Sequence, residues 1–563
     1  MPGGLLQLVG VGAQNQFING NPSMTYFTSM YKRFTNFAME HFHLVFNGND
    51  QTLTTVGTKT LRAKVSRYAD LLHDCYLCVN LPDIYSPLSA DTTTSPTSAT
   101  PYNFQWIHNI GYNMIQEASV LINGSPVVTI TGEWMKIMSY LKHDKARREI
   151  LDQMIGNVPE LYDPANAGIR SNQYPHAIQV PGSIAPAPSI RGRQIVVPLP
   201  FWFCEEIGQS LPLVSLTEAE VEISITFKNI YQLFTINDVV PTSPTYNTRI
   251  IGEPQSNNYG IQNFLSPPNS QGFPTILTNQ NWNLNPYIEA NYIFLTETER
   301  AHIAGYERTY LISQPRSLPV INQYGYNDVL IPMFNLCTRV VALFQRTDRV
   351  LLNDWDNYTN WSDPSIPQIA LTGQTSPLQF YSAGVNDPTV LLNPDILQEA
   401  NLVFDGKERF NTKNSNFWKL IENYKYTPGS TSELPGIYHY SFSIDPSKIS
   451  QPSGSVNGSM FNKTDIVYTL QVPPVVTANQ AVQTSVCVIK STVFNSVPTP
   501  APANATVPPG PGLPPLVQPG QTILVYNPLT GNNQQYQYNG IIYIEAYNFL
   551  KVTSGTANVV FST

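Results

Sequence analysis

QEASVLING (Gln116–Gly124) and QEANLVFDG (Gln398–Gly406) are the two stretches that decide the fold of this chain. Four of the nine positions are identical, and the second copy starts 282 residues after the first in a chain of 563. An internal repeat changes the interpretation of a whole chain. Each copy runs apolar and then ends in Asn-Gly or Asp-Gly, dipeptides that supply the positive φ of a type I′ hairpin turn. The repeat predicts two related β domains in tandem.

Short strand-like runs bounded by turn residues recur along the chain, a pattern typical of sandwiches and jelly rolls. The predicted strands are Met39–Phe46, Cys75–Leu81, Ala118–Ile122, Val127–Ile130, Gln194–Leu199, Glu220–Phe227, Thr309–Ile312, Arg339–Gln345, Asn401–Phe404, Ile437–Ser443, Asp465–Gln471, Thr484–Val493 and Ile541–Phe549.

Two helices are predicted from local capping signals. Asp144 is a candidate N-cap for a helix over Lys145–Ile155, which would stop at Gly156. Thr296 and Glu299 have the spacing of a capping box that opens a helix over Glu297–Ala304. One helix in each half is consistent with β domains that carry a few short helices.

Composition favours a protein whose surface meets other proteins. Charged residues are 12% of the chain and aromatic residues 11%, and interface cores are likewise poor in charge and rich in aromatics. A loop-rich secreted β protein explains the same numbers equally well. The net charge is −8 with no basic run, so the electrostatic term that drives nucleic-acid binding is missing. We therefore expect no direct contact with nucleic acid.

Long irregular stretches separate the predicted strands, and loops of this length are usually functional or disordered. Residues 237–286 divide the halves and contain the expected linker. In the last stretch, Gln521–Tyr526 and Gln534–Tyr538 flank a turn and predict a hairpin. The irregular stretches are Asp91–Pro101, Asn157–Arg193, Asn237–Pro286, Asn353–Pro394 and Ser491–Ile544.

No motif for catalysis or cofactor binding is present. The sequence lacks GxSxG, HExxH, GxxxxGK[ST], and a GxGxxG after a strand, so we expect no enzyme, no cofactor and no metal. His41 and His43 would share one strand face, a pair that more often lies at an exposed strand edge than on a metal. DWDNYTNWSD (Asp354–Asp363), with Asp348 before it, lacks the glycine of a calcium loop and is interpreted as a solvated surface loop.

The cysteines and the lengths of the apolar runs indicate the cellular compartment in which the chain is made. Cys75 and Cys78 lie in a predicted strand, where side chains three apart face opposite ways, so they are interpreted as plain buried thiols. The five cysteines are too scattered for a disulfide framework, which favours a reducing origin. No apolar run reaches the ~20 residues of a membrane span. We expect a soluble chain made in the cytosol.

Long stretches of the chain resemble the major capsid proteins of the nucleocytoplasmic large DNA viruses. The opening GGLLQLVGVGAQNQFINGNPSMTYFTSMYKRFTNFAME is similar to their N-terminal arm, although Asn15 stands where an acidic residue is common. Further similar stretches follow in the family's order: LLHDCYLCVNLP, WIHNIGYNMIQEASVLING, GEWMKIMSYL, VPLPFWFCEEIGQSLPLVSLTEAEVEISITF, YIFLTETERAHIA, NLVFDGKERF, PGIYHYSFSIDPSKISQPSGSVNGSMFN and AYNFLKVTSGTANVVFS.

The resemblance implies an all-β double jelly roll, two tandem eight-stranded antiparallel sandwiches. It implies an arm over residues 1–25, a first jelly roll over 26–236, a linker or insert over 237–286 and a second jelly roll over 287–563. Three chains would form a pseudo-hexagonal capsomer of an icosahedral shell, made and assembled in the host cytoplasm. Neighbouring capsomers, minor capsid and penton proteins and inner-membrane-associated proteins are the partners it implies.

Particular side chains receive roles on this interpretation. Leu5, Leu6, Leu8 and Val9 of the arm are expected to make contacts on the inner face of the capsid. Trp134, Trp202 and Phe203 are expected in the core.

An alternative function is a glycan-binding jelly roll used in host attachment, since jelly rolls also serve as lectins. On this alternative, Trp355, Tyr358 and Trp361 would be exposed loop aromatics that stack on sugars.

Overall fold

The fold was analysed on a computed structural model of the full chain. The structure describes residues 3–29, 31–48, 51–88, 101–171, 173–179, 186–239, 249–253, 259–269, 272–275, 282–350, 352–360, 394–473, 483–486, 523–526 and 536–561.

The strands of the first half form two facing antiparallel sheets, with one short three-stranded sheet and one short strand pair beside them. One sheet has the order β1-β14-β3, after which β9 and β10 both pair with β3; the other has the order β2-β11-β5-β6. The strands are β1 (Phe37–Val45), β2 (Lys59–Lys64), β3 (Leu71–Leu81), β4 (Gln105–Trp106), β5 (Ile115–Ile122), β6 (Ser125–Thr131), β7 (Ile178–Gln179), β8 (Pro186–Ala187), β9 (Arg193–Pro198), β10 (Leu211–Pro212), β11 (Val221–Phe227), β12 (Phe234–Asn237), β13 (Arg249–Ile251) and β14 (Tyr287–Leu295).

The second half repeats this arrangement. One sheet has the order β15-β26-β17-β21, and the other has β16-β23-β18-β19, with β22, β27 and β20 added at their sides. The strands are β15 (Arg308–Gln323), β16 (Tyr326–Leu330), β17 (Leu336–Arg346), β18 (Leu397–Phe404), β19 (Lys407–Glu408), β20 (Lys413–Asn414), β21 (Tyr438–Ser441), β22 (Val456–Asn457), β23 (Thr464–Leu470), β24 (Gln483–Val486), β25 (Ile523–Tyr526), β26 (Tyr538–Thr553) and β27 (Thr556–Val559).

Both halves have jelly-roll topology. Apart from the hairpins β5–β6, β18–β19 and β26–β27, successive long strands alternate between the two facing sheets, and neighbours within a sheet are distant in sequence. Alternating burial turns one face of a strand towards the core: in β11, Val221, Ile223 and Ile225 are buried between half-buried polar neighbours. The short extra strands give sheets of five and four strands in the first half and six and five in the second.

The two copies of the repeat occupy corresponding places in the two halves. The first copy is β5 and the turn to β6, and the second is β18 and the turn to β19. Both strands lie third in the order of their sheet. Asn123 and Gly124 have φ of 52° and 78°, and Asp405 and Gly406 have 48° and 76°. These angles fit the predicted type I′ turns, so the repeat marks one hairpin used twice.

The predicted boundary at residue 287 is wrong. β14 was assigned to the second jelly roll, but it pairs with β1 on one side and β3 on the other, inside the first half. It lies between β1 and β3 and completes that sheet of the first sandwich. The first half therefore extends to Leu295.

The predicted linker over 237–286 is also wrong in part. β13 pairs with β12, and the described residues Phe264, Trp282 and Leu284 are buried in the core of the first half. Burial of these apolar side chains makes the segment a covering layer of the first half.

The structure contains ten α-helices in its described residues, most of them a single turn. They are α1 (Gly3–Val9), α2 (Gln16–Asn19), α3 (Ile110–Asn113), α4 (Gly132–Lys142), α5 (Lys145–Ile155), α6 (Pro159–Tyr162), α7 (Trp202–Glu205), α8 (Glu297–Gly305), α9 (Thr347–Val350) and α10 (Glu422–Tyr426). Short 3₁₀ helices cover Ala13–Asn15, Ile207–Gln209, Ile230–Gln232, Ile261–Asn263 and Gly458–Met460, and a π-helix covers Phe417–Ile421.

The two predicted helices are present, but only one has the predicted cap. The Arg147 amide donates to Asp144 Oδ1 at 3.0 Å, and Gly156 ends α5 with a φ of 77°. In α8 the Thr296 side chain caps no backbone amide, so the capping box is not formed. The Thr296 hydroxyl instead lies 3.4 Å from the hydroxyl of Thr298.

The hairpin predicted near the C-terminus is wrong. β25 pairs antiparallel with β24, and Tyr538 belongs to β26, which pairs with β15 and β17. The partner of β25 therefore comes from before the Pro-rich tract. No helix among the described residues is long and apolar enough to cross a membrane.

Candidate assembly surface and interdomain seam

A loop of the second half is inserted against the first half. This seam loop, residues 353–360, follows α9. The side-chain amide of Asn353 donates to the carbonyl oxygens of Tyr231 at 2.6 Å and Phe234 at 3.1 Å. The Trp355 indole donates to the carbonyl oxygen of Gln232 at 3.0 Å. The loop thus donates hydrogen bonds to three backbone carbonyl groups of the first half.

A buried ion pair lies at the centre of this seam. The Lys136 ammonium, on α4, is 2.5 Å from Asp356 Oδ1, and both side chains are buried. The amides of Asn109 and Asn113 donate to the two oxygens of the same carboxylate at 2.6 and 2.9 Å. Burial alone would raise the pKa of Asp356, but the Lys136 charge and these amides lower it to about 2.

A second carboxylate is shared by two tyrosines of the second half. Tyr358 donates to Glu133 Oε1 at 2.8 Å, and Tyr543 donates to Oε2 at 3.0 Å. The Thr131 hydroxyl lies 2.8 Å from the Tyr543 hydroxyl. Burial, followed by the Glu133 charge, raises the pKa of Tyr358 well above its ordinary value, so the phenol stays a donor at neutral pH. Side chains of the two halves thus meet in one hydrogen-bonded network.

The expectation that the loop aromatics are exposed is wrong for both described members. Tyr358 is 0% exposed, because it packs against Glu133 and Lys136 of the first half. Trp355 is half-buried, and the Lys228 ammonium lies 4.2 Å from the centroid of its ring. Tyr358 therefore offers no free face of the kind that sugar stacking needs. Trp361 lies outside the described residues.

The interpretation of the aspartate cluster as a solvated surface loop is also wrong. Asp348 is buried and forms ion pairs with Arg346 at 2.7 Å and Arg349 at 3.2 Å. Asp356 is held by Lys136 as described above. Within the described ranges, no group of three or more His, Cys, Asp or Glu side chains could hold a metal ion. Asp363 lies outside these ranges.

The sequence pointed to neither Glu133 nor Lys136 as a seam residue. Both lie in the otherwise apolar helix GEWMKIMSYLK, and a lysine on the buried face of a helix needs a partner. The partner could not be identified, because it lies more than 200 residues away.

The structure places the candidate core residues in the interior. Trp134, Trp202 and Phe203 are all buried. The rings of Trp202 and Phe203 meet edge to face with centroids 5.0 Å apart. Trp134 lies 5.0 Å from the ring of Tyr543, so it packs across the seam. The first core extends into the second half at this point.

Within the part of the chain that the structure describes, the candidate arm residues are left exposed. Leu5, Leu6, Leu8 and Val9 lie on or at the end of α1 and are 47–75% exposed. The exposure continues to β1, an edge strand whose residues 37–41 are all exposed. His41 and His43 lie on β1, where the ring of His43 packs 4.6 Å from Tyr287. An apolar surface of this extent marks an interaction site.

Comparison with known proteins agrees with the topology. A family model described as the major capsid protein N-terminus matches residues 25–262, and one described as the large eukaryotic DNA virus major capsid protein matches residues 299–497. The gap between the two matches contains β14, with which the first sandwich ends.

Individual relatives and a solved structure point the same way. Probable capsid protein 4 of Acanthamoeba polyphaga mimivirus is 26% identical over 524 residues, covering 82% of this chain and 91% of that protein. The major capsid protein of Phaeocystis pouchetii virus is 32% identical over 233 residues, 41% of this chain and 42% of that protein. The Faustovirus major capsid protein has a similar fold, with a TM-score of 0.59 at 12% identity and 96% coverage of both chains.

Two jelly rolls of like topology in one chain, matched along both halves, define a double jelly-roll capsid protein. The chain belongs to the major capsid proteins of the nucleocytoplasmic large DNA viruses. It is a structural component of the virion capsid and not an enzyme.

Proposed function

We propose that three copies of this chain form a capsomer with a nearly hexagonal outline, and that such capsomers tile an icosahedral shell. The support is the repeated topology: each chain supplies two sandwiches with the same strand orders. A threefold trimer of such chains has six similar sides, and tiles with six sides fill a sheet. The seam supports the same idea, because it joins the two sandwiches of one chain through buried contacts.

The observation that carries this proposal is the uncovered apolar surface at the N-terminus. A folded chain that works alone rarely exposes so many large apolar side chains in succession. A neighbouring protein surface would bury them. The exposed residues are Leu5, Leu6, Leu8, Val9, Val11, Phe17, Ile18, Met24, Tyr26, Phe27, Tyr31, Phe34, Phe37 and Met39, with exposures between 41% and 97%.

Different parts of this surface are given different partners. The arm, residues 1–25, contacts the inner face of the shell and the inner-membrane-associated proteins beneath it. The edge strand β1 and the charge-poor sides contact copies within the capsomer and neighbouring capsomers. Minor capsid and penton proteins bind at the remaining contacts between capsomers. Synthesis and assembly take place in the host cytoplasm.

Light scattering and electron microscopy of the purified full chain test the proposal. Three chains of 62.8 kDa give a particle of about 190 kDa with a hexagonal projection. A monodisperse monomer under conditions that favour assembly contradicts the proposal.

A further inference from the structure

Two thiols on different elements of the first half lie against one carbonyl oxygen. Cys75 is on β3, and Cys204 is on α7, which packs on that strand. The Sγ atoms of both residues lie 3.6 Å from the carbonyl oxygen of His73. The Leu199 amide donates to the Cys75 carbonyl at 3.0 Å, which brings the chain before α7 back to the strand. The two thiols thus share one carbonyl oxygen, and the side chains of Cys204 and Cys75 also form a hydrogen bond with each other.

The other described cysteines have different surroundings. Cys78, on the same strand, forms a hydrogen bond with the Tyr287 side chain. In the second half, the Cys337 thiol donates to the Phe334 carbonyl oxygen at 3.2 Å. Among the cysteines in the described ranges, Cys75 and Cys204 are therefore the pair placed to react with each other.

We propose that Cys75 and Cys204 form an intrachain disulfide when the protein meets a peroxide-class oxidant, and that this bond ties α7 to β3. Cys204 is the partly exposed member and reacts first, whereas Cys75 is buried and acts as the resolving thiol.

The chemistry balances in two steps. The Cys204 thiol, after giving its proton to solvent, attacks one oxygen of hydrogen peroxide; the O–O bond breaks, Cys204 becomes a sulfenic acid, and water leaves. The Cys75 sulfur then attacks the sulfenyl sulfur while its proton goes to the departing hydroxide. One S–S bond and a second water are formed. The two thiols together lose two electrons, which the peroxide accepts.

The rate of this reaction should be low at neutral pH. Burial, and after it the neighbouring Cys75 thiol, raises the pKa of Cys204 well above its ordinary value. The thiolate is the nucleophile, so only a small fraction of the protein is reactive at any moment. The rate of oxidation should rise roughly tenfold per pH unit between about pH 7 and 9.

The bond would act on the junction between the halves. Glu205 on α7 pairs with Lys142 at 2.5 Å, and the Ser450 hydroxyl of the second half donates to Glu206 at 2.5 Å. Fixing α7 to β3 therefore also fixes a contact point of the second half. This consequence rests on the proposed function: the thiols stay reduced in the host cytoplasm, and a particle outside the cell meets oxidising conditions.

The test is peptide mapping of the full chain after peroxide treatment without reductant. Trypsin and chymotrypsin together separate Cys75 from Cys78, because Tyr76 lies between them. We expect a peptide pair joined through Cys75 and Cys204, with the loss of two hydrogen atoms and release by dithiothreitol. Cys78→Ser should keep the cross-link, whereas Cys204→Ser and Cys75→Ser should each abolish it.

Closure of so long a loop should raise the Tm by roughly 5 °C in the oxidised protein. If Cys75→Ser fails to fold, Cys204→Ser still decides the matter, because Cys204 is partly exposed. Oxidised protein in which both thiols remain open to alkylation, or in which a different pair is joined, overturns the proposal. The mapping reads the bond in monomer and trimer alike, so its failure is distinct from a failure of capsomer formation.

Discussion

The seam loop and the N-terminal segment, residues 3–39, are both aromatic stretches rich in amides, yet their environments are opposite. Tyr358 in the seam loop is wholly buried against the first half, whereas Phe27 in the N-terminal segment is 97% exposed. The seam loop finds Lys136 and Glu133 within its own chain. The N-terminal segment has no such partner among the residues that the structure describes. The difference separates two uses of apolar surface: one joins the halves of a chain, and the other is left for another molecule.

The largest effect is expected from breaking the centre of the seam. Asp356→Ala leaves the Lys136 charge buried without its partner and should lower the free energy of unfolding by about 3–5 kcal/mol. Urea denaturation followed by tryptophan fluorescence measures it. The double variant Lys136→Met with Asp356→Leu removes both charges and should recover most of the loss. A single variant as stable as the wild type would show that the pair contributes little.

Acid should weaken the body of the protein and not the N-terminal segment. His439 is buried, and burial followed by the Arg339 charge lowers its pKa to about 3. The unfolded chain binds this proton near pH 6.5, so the contribution to stability is complete above that pH and is lost on acidification towards pH 3, at about 1.4 kcal/mol per pH unit.

The depressed pKa of Asp356 adds a further loss below about pH 4, where the unfolded carboxyl takes up a proton before the folded one does. Denaturation curves at several pH values should show both slopes, and His439→Phe should reduce the upper one, to which His143, with a pKa lowered by burial to about 4, also contributes. Residues 1–36, which precede β1, contain no Asp, Glu or His, so their deletion should leave the pH profile unchanged. A profile that the deletion alters would show that the segment packs on the body.

A smaller effect is expected from a single seam hydrogen bond. Tyr358→Phe removes the donor to Glu133 Oε1 and keeps the ring, and Tyr543 still donates to the other oxygen. The loss should be about 1–3 kcal/mol, since one oxygen of a half-buried carboxylate loses its donor. Tyr424→Phe, a change at a side chain 93% exposed, is the matched control and should alter stability by less than about 0.5 kcal/mol. Equal effects of the two substitutions would contradict the seam geometry.

The smallest effect on stability is expected from the arm. Two variants test it: deletion of residues 1–25, and the combined substitution Leu5→Ser, Leu6→Ser, Leu8→Ser and Val9→Ser. Each should change the free energy of unfolding by less than about 0.5 kcal/mol, because these side chains are already exposed. The trimer should form, and the yield of closed shells in electron micrographs should fall. Loss of the trimer itself would assign the arm to contacts within the capsomer.

Local signals predicted much of the fold. The Asn123-Gly124 and Asp405-Gly406 turns were predictable because the dipeptides themselves favour positive φ. Asp144 and Gly156 likewise define both ends of α5 from its own sequence.

Long-range pairing was beyond sequence reasoning. The closing strand β14 pairs with β1, which lies about 250 residues earlier, and no local pattern specifies that partner. The same holds for β25. The seam was missed for the same reason: DWDNY has the composition of a surface loop, and its burial depends on Glu133 and Lys136 in the other half. The hydrophobic pattern of the sequence predicts individual strands and helices. Which of them pair or pack together is decided by tertiary contacts.

The apolar character of the N-terminal segment has a consequence for temperature and salt. Residues 3–39 carry only Lys32 and Arg33 as charged side chains. Contacts made through such a surface are driven by the entropy of released water, so they weaken on cooling and are little affected by ionic strength. Shells joined through this segment should dissociate more readily at low temperature and remain assembled at high ionic strength.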